Sequence, residues 1–212
     1  MAKESVFVAT LVAVCWLCGG WAGAGIIGGV DFPDGESSFA DAVVEYLPGS
    51  GVGAGYDDPA AALGIPDYSG PGDYVSLGDE GILTLKFEDN SLTTSGDSAE
   101  DLWVFEIGGA IEPTAAAIST HGTEWIEVGA TSGATSGVDI DAYIGSGVVL
   151  WERYAYVRLT DLLPHQSGSP YTGADIDAVG AISSAPPVTI PEPAGVLLLG
   201  VALLGLARRR RT

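Results

Sequence analysis

From residue 74 onward the chain is broken into short apolar stretches, each followed by a cluster of Gly, Ser, Asp or Asn. That punctuation narrows the possible folds more than any other feature. Residues 74–77, 82–87, 102–107, 115–119, 125–128, 138–144, 154–159 and 175–181 all read as strands, and residues 39–46 read as an earlier one, closed by Pro48, Gly49, Ser50 and Gly51. In the stretch 82–87, Ile82, Thr84 and Lys86 share one face while Leu83, Leu85 and Phe87 share the other, the period of a strand with one buried side. Short strands recurring about every ten residues specify an all-β sandwich or barrel, and a single β-sandwich is expected. Before them lies a glycine-rich lead-in at 25–35 and a long turn-rich passage at 53–72, where only residues 60–63 suggest a helical turn. A passage of that length belongs on the surface and is often functional.

The two ends of the chain are built differently. Lys3 precedes an apolar run from Val6 to Leu17, and Ala22-Gly23-Ala24 supplies small residues where a signal peptidase cuts. Residues 1–24 therefore read as a secretory signal peptide. Cys15 and Cys18 both fall inside it, and neither follows the small residue that lipidation needs, so the mature chain is expected to carry no cysteine and no disulfide. At the other end, Pro191-Glu192-Pro193 is followed by 13 apolar residues (195–207) and then Arg208, Arg209, Arg210 and Arg211. The apolar run is shorter than the ~20 residues that span a bilayer comfortably, and the arginines would hold the C-terminus on the cytoplasmic side. Residues 183–189, with Pro186 and Pro187, read as a linker, leaving 25–182 as one domain.

Charge excludes some partners. Between residues 25 and 190 the only basic side chains are Lys86, Arg153 and Arg158, against 26 acidic ones, a formal charge of −23. Nucleic acid and anionic lipid need clustered Lys and Arg, so neither suits this surface. Divalent cations do. An acidic surface also keeps an exported protein soluble, which accounts for many of these charges without a site.

The densest chemistry lies around residues 87–106, where Asp89, Asn90, Asp97, Asp101 and Glu106 flank a loop between two strands. Carboxylate and amide oxygens converging there would suit Ca²⁺, which takes six to eight oxygens at flexible geometry. No EF-hand spacing is present, and the alternative is a solvated acidic hairpin. Asp175 and Asp177 lie on one face of the last strand, with Ile176 on the other, and two adjacent carboxylates repel unless a cation or water separates them. Asp139 and Asp141 raise the same question. Catalysis has little to stand on. His121 falls in a turn and His165 follows Pro164; both are expected to be dispensable, and no nucleophile elbow, zinc spacing or phosphate-binding loop occurs. Trp103, Trp125 and Trp151 are expected to be core residues rather than sugar platforms.

The order Pro-Glu-Pro, apolar segment, basic cluster over 190–212 resembles the PEP-CTERM sorting signal of exported bacterial proteins. That resemblance implies an exosortase-type partner that cleaves near Pro191-Glu192-Pro193, a precursor held transiently in the inner membrane, and a mature form at the cell surface or in the extracellular matrix of a Gram-negative-type, exopolysaccharide-producing bacterium. Ser119-Thr120-His121-Gly122-Thr123-Glu124-Trp125 followed by Tyr156-Val157-Arg158 is similar to a strand pair of discoidin-like, galactose-binding-type jelly rolls, with His121 where Asp is usual. It implies a jelly-roll-like sandwich over about 39–182. The expected protein is thus a non-catalytic, calcium-stabilised surface component with a structural or polysaccharide-binding role. An extracellular polysaccharide hydrolase is the alternative. An ice-binding protein ranks lower, since no regular Thr-x-Thr array is present.

Overall fold

The computed structural model describes residues 24–108, 112–131, 135–163 and 167–189. The leader up to residue 23, the tail residues Pro191, Glu192, Pro193 and Arg208 to Arg211, and His165 lie outside the described residues. Two antiparallel sheets face one another across an apolar core, as expected of a β-sandwich.

The five-stranded sheet is ordered β3 (Ala42–Leu47), β5 (Ile82–Lys86), β11 (Tyr156–Asp161), β8 (Thr114–Ser119) and β9 (Ile126–Thr131). The four-stranded sheet is ordered β10 (Thr135–Val138), β7 (Leu102–Glu106), β12 (Asp175–Ala181) and β4 (Val75–Ser76). Leu83, Leu85 and Phe87 do point inward, meeting Val157 and Leu159 from β11, Ile118 from β8 and Val104, Ile176 and Val179 from the opposite sheet. Each such buried aliphatic or aromatic side chain contributes about 1.5–3 kcal/mol relative to exposure, and with no cysteine in the described residues this burial is what replaces cross-links.

Three departures from the strand reading matter. The lead-in is a hairpin, β1 (Gly25–Ile27) and β2 (Val30–Phe32), closed by Gly28 and Gly29 at φ +57° and +88°, the left-handed pair that a two-residue hairpin requires. It places Phe32 against Phe39 and Phe105, a small aromatic cluster on the outer side of the four-stranded sheet. Second, the stretch expected as a linker is tied to the domain. Ser184–Ala185 (β13) pairs with Ser91–Leu92 (β6), and Arg153 Nη1 donates to the carbonyls of Pro186 and Pro187 at 3.2 and 3.1 Å. Third, residues 138–144 do not form a strand. The ladder of β10 stops at Val138, and Asp141–Tyr143 is a 3-10 turn. Side-chain hydrogen bonds from aspartates compete with ladder pairing and turn the chain here.

Candidate metal centre

That turn builds the acidic site. Asp101 immediately precedes β7, and Asp139 and Asp141 follow β10, which pairs with β7 in register Val138 to Leu102. Pairing therefore carries all three aspartates to one end of the sheet, where one carboxylate oxygen from each lies within 4.8 Å of the others. One oxygen of each is fixed by backbone donors. The Ile140 N–H donates to Asp101 Oδ2 at 2.9 Å, and the Ala142 N–H to Asp139 Oδ1 at 3.3 Å. Asp141 Oδ2 accepts from the N–H groups of Ser95 (2.9 Å) and Gly96 (3.2 Å) and from the Ser95 hydroxyl.

Asp101 is the centre of the group. It is 0 % exposed, and its Oδ1 has no hydrogen-bond partner. Burial pushes its pKa up; the Ser183 and Ser95 hydroxyls and the Ile140 N–H pull it down, and the charge of Asp141 adds to the rise. An ionised carboxylate oxygen left buried and unpartnered costs upward of roughly 1–3 kcal/mol. Oxygens of this kind suit hard cations and do not suit metals that prefer sulfur or imidazole. The three carboxylates can hold a metal ion.

The rest of the expected ligand set does not gather here. Asp101 and Glu106 bracket an extended strand and stand about 16 Å apart, so the convergence read from their closeness in sequence does not occur. Asp97 sits on the exposed turn beside the triad, where its Oδ1 accepts from the Ala99 N–H and the Ser95 hydroxyl. Asp89 is largely exposed and lies against Asp41, whose Oδ2 accepts from the N–H groups of Glu88 and Asp89; partial desolvation of its carboxyl, then the Asp41 charge, raises its pKa. Asn90 is buried, its Nδ2 donating to Ser184 Oγ at 3.2 Å while its Oδ1 has no partner. Asp177 is occupied structurally. Its Oδ1 accepts from the Asp67 N–H at 3.3 Å, holding the 53–72 passage against β12.

Glu106 and Asp175 meet at the far end of β7. Glu106 is 4 % exposed with Oε2 unpartnered, and burial, then Asp175 and Glu112, raise its pKa to about 8. Burial likewise raises Asp175 to about 7, although the Ser76 hydroxyl donates to its Oδ1 at 2.5 Å. None of the three basic side chains of the domain answers these carboxylates. Lys86 pairs with Glu88 at 2.8 Å, Arg153 holds the proline carbonyls, and Arg158 lies 3.5 Å from Glu45 with its guanidinium 3.9 Å above the Trp125 ring.

The tryptophans correct another expectation. Trp103 and Trp125 are half-buried, but Trp151 is 61 % exposed at φ +64°, a conformation that bulky side chains avoid. It is held by its N–H donating to Thr94 Oγ1 at 2.9 Å and by its ring lying over Gly96, where a Cβ would come within 2.9 Å of the indole. No sequence signal marked it, because the strain arises from contacts 55 to 57 residues away along the chain.

No curated protein matches the sequence. Among solved structures, a chain titled "CpGH89CBM32-6 produced by Clostridium perfringens" aligns over 51 % of this chain and 72 % of its own length, with 12 % identity and a TM-score of 0.33. The PEP-CTERM protein-sorting motif matches residues 189–211. The chain thus carries a C-terminal PEP-CTERM signal, read by an exosortase-type sorting system, and is an exported, surface-sorted all-β protein.

Proposed function

We propose that this protein is a non-catalytic, jelly-roll-like component of the cell surface or extracellular matrix, stabilised by a bound Ca²⁺ and facing extracellular polysaccharide. The observation that carries the reading is Asp101. A fully buried carboxylate with one oxygen unpartnered, beside Asp139 and Asp141 and in no ion pair with a described lysine or arginine, is stabilised in its ionised form by a cation. The backbone donors that hold one oxygen of each aspartate leave the other for the ion, and water completes the six to eight positions Ca²⁺ takes. Such an ion would join β7 to the turn after β10 and serve the fold, as suits a domain without disulfides.

The alternative, a polysaccharide hydrolase, would look to Glu106 and Asp175, whose raised pKa values resemble those of a general acid. Their burial argues for packing instead, since a catalytic carboxyl must touch its substrate. Metal analysis of the purified mature protein, followed by melting in CaCl₂, MgCl₂, EDTA and NaCl at matched ionic strength, tests the proposal. Ca²⁺ at a hundredfold excess over Kd should add about 2.7 kcal/mol. Stabilisation no greater than that of NaCl removes the metal, and turnover of chromogenic glycosides removes the non-catalytic role. Replacing Pro191, Glu192 and Pro193 by alanine should leave the precursor in the inner membrane, read by fractionation in a host with the sorting enzyme.

A further inference from the structure

Four tyrosines from distant parts of the chain pack ring against ring, and the two end rings reach the surface. Tyr68 lies 5.7 Å from Tyr74 between ring centroids, Tyr74 lies 5.6 Å from Tyr56, and Tyr56 lies 5.7 Å from Tyr171, with ring planes inclined by 66°, 45° and 65°. Of the two inner rings Tyr74 is buried, 7 % exposed, and Tyr56 is half-buried, whereas the two end rings, Tyr68 and Tyr171, are 50 % and 44 % exposed. Three of the four come from the turn-rich passage and the residues that close it, and the fourth from the segment leading into β12.

The passage is fixed in place. The Gly53 N–H donates to the Pro170 carbonyl at 2.7 Å, joining the segments that carry Tyr56 and Tyr171. The Tyr56 carbonyl accepts from the Ser76 N–H at 2.9 Å in β4, and Asp67 is bound to Asp177 in β12. Between Tyr68 and Tyr74, Asp73 Oδ2 accepts from both the N–H and the hydroxyl of Ser69. Rings held in this way lose little freedom when something settles on them.

From this arrangement we propose that the exposed rings Tyr68 and Tyr171, held at the two ends of the Tyr74–Tyr56 pair, are the surface on which a neutral polysaccharide chain lies. The inference deepens the polysaccharide-facing role proposed above and rests on that reading, but it is independent of the metal ion. Tyrosine rings offer an apolar face to the C–H side of a sugar and a hydroxyl to its oxygens. The exposed Asp57, Asp67 and Ser69 supply further partners for sugar hydroxyls. Tyr68 and Tyr171 are the only large exposed apolar side chains that residues 53–74 and 167–174 contribute, so the surface lacks the aliphatic patch that a lipid or a protein core would require. Charge sets the class of glycan. Lys86, Arg153 and Arg158 are all engaged elsewhere, and the row is bordered by carboxylates, which repel uronic-acid and sulfated polymers.

Affinity electrophoresis of the mature protein through gels containing dextran, mixed-linkage glucan, galactomannan or alginate tests the assignment. Retardation by at least one neutral polymer and not by alginate is expected. Tyr68→Ala and Tyr171→Ala should each weaken binding about tenfold, equivalent to about 1.4 kcal/mol, with the fold retained in each, read by a cooperative melt, because both rings are half-exposed. Ile26→Ala, an exposed apolar change on the β1–β2 hairpin, should leave binding intact, and so should EDTA below the melting temperature. Full binding by the double variant Tyr68→Ala/Tyr171→Ala overturns the tyrosine row while leaving polysaccharide binding standing. Failure of every polymer to retard the wild type overturns both, and retardation by alginate alone overturns the neutral class.

Discussion

The two ends of β7 face the same electrostatic problem. At one end Asp101 and at the other Glu106 is buried, each with one carboxylate oxygen that has no hydrogen-bond partner, and among the described residues no lysine or arginine forms an ion pair with either. Their neighbours differ. Around Asp101, backbone N–H groups grip Asp139 and Asp141 so that the three carboxylates hold oxygens within 4.8 Å. Around Glu106 the neighbouring acids, Asp175 and Glu112, are tied to hydroxyls: Ser76 donates to Asp175, and the Ser167 hydroxyl and N–H donate to Glu112 Oε1 at 2.6 and 2.8 Å. The first arrangement gathers anionic oxygens around a point, which suits a cation. At the second, burial and then the charges of Asp175 and Glu112 raise the pKa of Glu106 to about 8, which suits a proton. Buried negative charge can be answered by either, and the local donors decide which.

The largest effect should come from the metal end. Asp101→Asn keeps an oxygen for the Ile140 N–H but removes the central charge. It should abolish the calcium-specific rise in melting temperature, which at about 2–4 °C per kcal/mol for a domain of this size amounts to several degrees. Persistence of the full shift in Asp101→Asn would break the assignment of the site. Asp139→Asn and Asp141→Asn should each reduce it in part.

The proton end should respond to pH instead. A carboxyl whose pKa is higher folded than unfolded binds more protons in the native state between the two values. Stability must then fall as pH rises from the ordinary glutamate range, near 4.5, through about 8, and level off above. In EDTA, melting temperature should therefore drop from pH 5.5 to pH 8.5, and Glu106→Gln should flatten much of that slope while raising stability at pH 8.5. A slope unchanged in Glu106→Gln would mean that the proton resides elsewhere, Asp175 being the next carboxyl to test.

Smaller effects separate the site from its surroundings. Asp89→Asn, at the exposed pair with Asp41, should change melting by less than about 0.5 kcal/mol and leave the calcium response whole. A reduced response would return Asp89 to the ligand set. His121→Ala, at an exposed turn, should alter neither curve.

How far the chain could be read without its fold varies from residue to residue. Leu83, Leu85 and Phe87 announce their buried face by alternation alone, because strand geometry is local. Asp175–Ala181 is a strand with the boundaries its sequence suggests. The tail signal needs no fold at all, since its order of motif, apolar run and arginines is linear. Long-range placement is another matter. Asp101 and Glu106 look like neighbours in sequence and part company because a strand is extended. Asp139 and Asp141 look like strand residues, and become a site only because Asp101 and Ser95, some 40 residues earlier, offer their backbone and side chains to that turn. Four tyrosines scattered from residue 56 to residue 171 carry no pattern until β4 and β12 pair and draw their loops together. Local backbone preference and hydrophobic period were written in the order of the residues. Which charges and rings would meet was decided by strand pairing, because contact between residues far apart in sequence exists only once the sheets have closed.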